Sequence, residues 1–106
     1  MRTLFFLFLF LISIKGYATV LSSDQVAGFL GKKVTVCGRV VEISKLKNDI
    51  FINIDKPHPL QNFYFYTNNF NDRKILFKNV CGTGVIEEHK GKYQIKISNI
   101  NQLSIN

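Results

Sequence analysis

The chain has 106 residues, 46% of them hydrophobic, and 14 Lys+Arg against 7 Asp+Glu, which is enough for one domain with a modest core. The positive balance permits contact with nucleic acid, anionic lipid or an acidic protein; it also serves solubility alone, and it chooses among none of these. Two cysteines, Cys37 and Cys81, stand far apart without a Cys-x-x-Cys, a pattern that fits neither a zinc knuckle nor a dithiol redox centre.

The first residues read as an export signal. Arg2 gives a basic start, Leu4 to Ile12 run without a polar residue, and Gly16-Tyr17-Ala18 offers the small-x-small pattern of a signal peptidase site. The apolar run is shorter than the roughly 20 residues of a membrane span, which favours cleavage after Ala18 over an uncleaved anchor. No cysteine follows the run to carry a lipid. On this reading residues 1–18 are a signal peptide and 19–106 a single domain, periplasmic or secreted, with no stable membrane anchor once cleaved. Arg2 and Lys15 leave with the signal, so 14 basic residues become 12 against 7 acidic ones, a net of +5. An even cysteine count in an exported chain favours a Cys37–Cys81 disulfide. The chain-entropy model assigns such a bridge about 4 kcal/mol.

Beyond residue 18, Ser22 with Gln25 has capping-box spacing, Val26, Phe29 and Leu30 recur at helical spacing, and Gly31 ends a helix of about two turns. From Lys32 the period becomes two. Val34, Val36, Gly38 and Val40 alternate with Thr35, Cys37, Arg39 and Val41 in a first strand. A polar turn over 45–49 leads to a second strand, in which Ile50, Ile52 and Ile54 alternate with Phe51, Asn53 and Asp55. Lys56-Pro57-His58-Pro59 breaks it. Residues 63–67, with Phe63-Tyr64-Phe65-Tyr66, make an aromatic third strand. Asn68 or Asn69 could cap a helix over 70–77, although its apolar face is rough. Strand character returns over 80–87, around Gly82 and Gly84. After the turn at 88–92, Tyr93, Ile95 and Ile97 mark a fifth strand, and the polar tail over 99–106 packs back as an edge segment.

Helix, three strands, helix, two strands is the plan of an all-β OB-fold: a five-stranded Greek-key barrel with a helix between strands three and four, here with a short N-terminal helix added. Glycines inside strands one and four suit the sharp bends of a small barrel.

Three segments also carry a resemblance. Gly31-Lys32-Lys33-Val34-Thr35-Val36-Cys37-Gly38-Arg39-Val40 resembles the first strand of nucleic-acid-binding OB-fold domains of the tRNA anticodon-binding-like type. Phe51-Ile52-Asn53-Ile54-Asp55-Lys56-Pro57-His58-Pro59 resembles the second strand and turn of small exported bacterial members. The stretch from Gly84 to Ile95 resembles their closing hairpin, except that Val85 stands where relatives often carry a basic residue. The resemblance covers most of 31–105 and speaks to fold more than to ligand, because OB-folds bind oligonucleotides, oligosaccharides and proteins.

Parity then places a candidate site. With Ile50, Ile52, Ile54, Phe63 and Phe65 inward, the residues Phe51, Asn53, Asp55, Tyr64 and Tyr66 face outward. Phe51, Tyr64 and Tyr66 would form a stacking platform with Asn53 beside it, flanked by Lys33, Arg39 and Lys96 to attract phosphate. The alternative is that these aromatics pack under the 57–61 loop or the terminal segment. Cys37 and Cys81 both fall outward on strands that neighbour each other in an OB barrel, so a cross-strand bridge is geometrically reasonable.

Nothing in the sequence points to catalysis, a cofactor or a metal. His58 and His89 lie in turns without a nucleophile beside them, and the adjacent Glu87 and Glu88 point to opposite faces. The sequence therefore describes a monomeric, non-enzymatic binding module for single-stranded nucleic acid. The alternatives are an envelope module for a protein or small ligand, and an accessory domain acting with a separate nuclease.

Overall fold

A computed structural model describes residues 19–69 and 73–106; the expected signal peptide over 1–18 lies outside the described residues. Their architecture is mostly β. Eight strands are formed: β1 (Val20–Leu21), β2 (Lys33–Leu46), β3 (Asp49–Ile54), β4 (Phe63–Thr67), β5 (Asn79–Val85), β6 (Glu87–His89), β7 (Lys92–Lys96) and β8 (Leu103–Ile105). Three short 3-10 helices accompany them, over Ser23–Phe29, Arg73–Ile75 and Ile100–Gln102.

The sheet runs β6-β7-β4-β3-β2-β5-β8, with β1 added in parallel to β2. Most neighbours are antiparallel, whereas β4 and β7 pair in parallel, Phe63 opposite Tyr93 and Tyr66 opposite Lys96. The 14-residue β2 serves two partners. Lys33 to Arg39 pair with β5, and Val40 to Leu46 pair with β3, with a register shift between Val40 and Glu42. An extra residue of this kind bends a strand and raises its twist, which turns β2 from one side of the barrel to the other.

The core follows the alternation. Val34, Val36 and Val40 of β2 meet Ile52 and Ile54 of β3, Phe63 and Phe65 of β4, Val80 of β5 and Ile95 of β7 in one cluster, which Val26 of the first helix also enters. Ser22 donates its backbone N–H to Gln25 Oε1 at 3.0 Å, as the capping-box spacing predicts. Cys37 lies directly opposite Cys81 in the β2–β5 ladder, and the two form a disulfide with Cα atoms 4.0 Å apart.

Two expectations are corrected. Among the described residues there are eight strands, because Val20–Leu21 and Leu103–Ile105 add short edge strands and the stretch 80–87 divides at Ile86. That residue is buried, and it leaves the ladder to donate its N–H to Lys32 O (3.0 Å) and accept from Gly31 N (2.8 Å). The helix expected over 70–77 is, among the described residues, a single 3-10 turn at Arg73–Ile75; residues 70–72 lie outside them. Asn69 donates its side-chain amide to Ser98 O at 2.7 Å, and Phe77 closes the segment with φ +66.

Candidate ligand-binding face

Strand register lines up two rows of outward side chains across the sheet. One row is Ser44, Phe51, Tyr66 and Lys96; the other is Glu42, Asn53, Tyr64, Gln94 and Glu87. Between them Ile52, Phe65 and Ile95 point into the core, so the expected parity of β3 and β4 holds. The aromatic side chains do gather: Phe51 meets Tyr64 edge-on with ring centroids 5.3 Å apart, and Tyr66 at 5.7 Å. Tyr66 donates its hydroxyl to Asp49 Oδ1 at 2.5 Å. That bond, with some burial and the nearby negative charge, pushes the phenol up.

The gathering is not an open platform; of the two arrangements the sequence allows, packing beneath the 57–61 loop describes Asn53 and Tyr64. Asn53 is 0% exposed and Tyr64 only 4%, while Phe51 and Tyr66 are half-buried. The cause is the 57–61 loop, which folds back over the Asn53 row through a chain of polar contacts. Glu42 Oε1 accepts from Asn53 Nδ2 and from the His58 backbone N–H, both at 2.8 Å. Asn53 Oδ1 accepts from Gln61 Nε2 at 3.0 Å, and the same nitrogen approaches His58 Nδ1 at 3.2 Å. The Lys92 ammonium clasps the loop from the other side, donating to Pro59 O (2.7 Å) and Gln61 O (2.8 Å). The donors on Glu42, His58 N–H first and then Asn53, hold its carboxyl below the usual range. Burial, aided by the Glu87 charge, raises the phenol of Tyr64.

One group in this chain is left over. Gln61 is 3% exposed, and its Oε1 is buried without a hydrogen-bond partner. A buried acceptor in that state costs about 1–3 kcal/mol relative to a satisfied one, and such groups are few in native structures.

The loop does not close the face completely. A cavity of about 380 Å³ remains, walled by Phe51 and Tyr64, with Asn53 and Gln61 among its polar lining. Ser44 and Leu46 of the β2–β3 hairpin border it on one side. His58 borders it from the loop, and His89 and Lys90 from the β6–β7 turn. These last five, with Gln61 and Lys92, are what sequence reasoning left out of the site. Lys56-Pro57-His58-Pro59 signals a chain break, and packing of its loop over the aromatics is the alternative reading of the sequence, but the polar contacts that hold it there are not legible.

The expected basic flank separates. Lys96 stands beside Tyr66 at the end of the aromatic row. Lys33 and Arg39 belong to the other half of β2, opposite Val85 and Asn79 of β5. Arg39 covers the ring of Phe77, 5.8 Å from its centroid. Asp55, expected outward, takes φ +68 and accepts from Ser23 Oγ (2.6 Å) and Arg39 N (3.1 Å), so it anchors the first helix to the end of β3.

No protein-family model and no curated protein matches the chain. Solved structures do. The OBody AM1L10, bound to hen egg-white lysozyme, superposes with a TM-score of 0.58 at 16% identity, covering 88% of this chain and 97% of that one. Asparaginyl-tRNA synthetase from Pyrococcus horikoshii gives 0.55 at 15% identity over 79% of this chain and 22% of that one. A putative aspartyl-tRNA synthetase from Leishmania major Friedlin gives 0.58 at 9% identity over 87% and 22%. The chain therefore spans about a fifth of the length of these synthetases, and the likeness is one of fold, of the OB type.

Proposed function

We propose that this chain is an exported, non-enzymatic binding module that holds single-stranded nucleic acid or an oligonucleotide on the outer face of β3 and β4. One observation carries the reading. The aromatic cluster and a cavity between the β2–β3 hairpin and the β6–β7 turn share Phe51 and Tyr64, with Lys90 at the cavity border and Lys96 opposite Tyr66 at the other end of β7. OB barrels take oligonucleotides and oligosaccharides on this face and between these loops. Phe51 and Tyr66 keep part of their ring surface accessible for a base, and the lysines suit the phosphates between bases.

The N-terminal segment supports export. The Cys37–Cys81 disulfide is compatible with an oxidising compartment, and among the described residues no helix is long and apolar enough to cross a membrane.

Titration of labelled oligo-dT and oligo-rU at several salt concentrations tests the reading. Affinity should fall with salt, with a logarithmic slope of roughly −0.7 per phosphate neutralised. Phe51→Ala should weaken binding by about 1–3 kcal/mol. Binding that ignores both salt and this substitution would remove the proposal. A second reading places an envelope protein or small ligand on the same face, and the OBody bound to lysozyme supports it by showing the fold engaged with a protein. Recovery of a protein partner from envelope extract after nuclease treatment would favour that alternative.

A further inference from the structure

We propose that the cavity beside Phe51 and Tyr64 receives the end of a strand and not its middle, and that it selects a terminal nucleotide carrying a phosphate monoester. This rests on the nucleic-acid reading and specifies which part of the ligand the site takes.

The outer face is open along one row and covered along the next. Phe51 and Tyr66 are half-buried, with Lys96 opposite Tyr66. In the adjoining row Asn53 and Tyr64 are buried. The 57–61 loop lies over that row, tied to Glu42 through the His58 N–H and to Lys92 through Pro59 O and Gln61 O. The cavity sits at this boundary: Phe51 belongs to the open row and Tyr64 to the covered one, and both line it. A strand running along Tyr66 and Phe51 therefore meets the loop and the β6–β7 turn, and its terminal nucleotide is the part the cavity encloses. At about 380 Å³ the cavity lies near the small end of ligand pockets, with room for one nucleotide and not for a run of them.

The polar border of the cavity distinguishes a terminal phosphate from an internal one. His58, His89, Lys90 and Lys92 line it, and among the described residues no carboxylate does. Glu42 and Glu87 stand in the covered row, but each is engaged: Glu42 by Asn53 and the His58 N–H, and Glu87 by Gln94 Nε2 at 3.0 Å. Lys90 is exposed on the β6–β7 turn. Lys92 gives two of its N–H groups to loop carbonyls, which leaves one for a ligand. The polar chain also sets the His58 ring. The Glu42 carboxylate only accepts, which turns Asn53 Nδ2 toward it and leaves Asn53 Oδ1 to accept from Gln61 Nε2. That nitrogen lies 3.2 Å from His58 Nδ1, which therefore accepts, so the ring carries its proton on Nε2. A border made of donors calls for an occupant rich in acceptors. A phosphate monoester offers three strong acceptor oxygens and about −1.5 to −2 charges near pH 7, more than the single charge of a diester. Hydrogen bonds between such ions are among the strong ones.

The test titrates the intact domain, at fixed salt, with oligo-dT of one length in unphosphorylated, 5′-phosphorylated, 3′-phosphorylated and circular forms. One of the two phosphorylated strands should bind at least about tenfold more tightly than the unphosphorylated one, and which of them does so gives the direction in which the strand lies. The circle, which has no end, should bind no more tightly than the unphosphorylated strand. In the double variant His89→Gln, Lys90→Gln the advantage of the phosphorylated end should vanish. Both residues are exposed, and a thermal melt shows whether the variant is folded; the wild-type comparison stands without it. No gain from phosphate at either end would overturn the proposal while leaving nucleic-acid binding intact. Equal gains at the two ends would do the same, because charge alone would then be sensed. A circle that binds as tightly as the preferred phosphorylated strand would also overturn it, as would an advantage that survives in the folded double variant. If no strand binds, this proposal and the reading beneath it both fall.

Discussion

The ring of Phe65 occupies the space where a β-carbon on Gly82 would stand: Cε1 of Phe65 would lie 2.4 Å from it. Leu103 closes the same space at 2.8 Å. Phe65 is a fully buried core residue on β4, so the ring has no free direction in which to give. Gly82→Ala should therefore destabilise the domain by about 2–3 kcal/mol through overpacking. For a domain of this size that lowers Tm by roughly 10 °C or more. Gly28→Ala is the control, since nothing lies within 4 Å of its added methyl group. It should stay within about 0.5 kcal/mol of the parent. Equal melting temperatures for the two variants would contradict this account.

The disulfide gives a second prediction. It joins residues 44 positions apart, and closing a loop of that length restricts the unfolded chain by about 4 kcal/mol in the entropic model. Denaturant titration with and without reductant should show a loss of about 2–4 kcal/mol on reduction. A midpoint unmoved by reductant would show that the β2–β5 ladder holds without the bridge.

Glu42 predicts a pH dependence. The His58 N–H and the Asn53 amide favour its charged form, so the folded chain binds this proton less tightly than the unfolded chain does. Its contribution is present above the ordinary carboxylate range and is lost as pH falls through the lowered folded value. Wild type should melt above Glu42→Gln near neutral pH, with the gap narrowing below about pH 4. A gap that is constant down to acid pH would rule out this linkage. Because the same carboxylate orients Asn53 and Gln61, acid should loosen the 57–61 loop together with it.

The β2–β3 hairpin turns through Lys47 and Asn48, and Lys47 has φ +57. A left-handed residue with a β-carbon is strained by about 1–2 kcal/mol, part of which glycine relieves. Lys47→Gly should raise stability by about 0.5–1 kcal/mol, measured as a rise in the denaturant midpoint. A fall in the midpoint would mean that the lysine side chain supports the hairpin in some other way.

Much of the framework is legible in alternation. Ile50, Ile52 and Ile54 against Phe51 and Asn53, and Phe63 and Phe65 against Tyr64 and Tyr66, declare their faces without any structure. The cysteine pairing, read from the even cysteine count, agrees with the same parity. What alternation does not reveal is who covers an outward face. Asn53 and Gln61 are ordinary polar residues in sequence, and they become buried only because the 57–61 loop folds back onto Glu42 and Lys92. Arg39 shows the related failure. Its outward parity is correct, but the bend after Val40 puts it on the other half of β2, over Phe77 instead of beside Tyr66. A period of two says inside or outside, and it is silent on where around a barrel the outside lies.

The two seams of this barrel join distant parts of the chain, Lys33 with Val85 and Tyr66 with Lys96. Pairings of such long range close slowly, because loop-closure entropy is lost before the contacts that compensate it can form. The parallel seam also needs β7. Lys96 must leave the ribosome before β7 can lie down on β4, so the hydrophobic cluster those strands enclose is completed only after that segment has emerged.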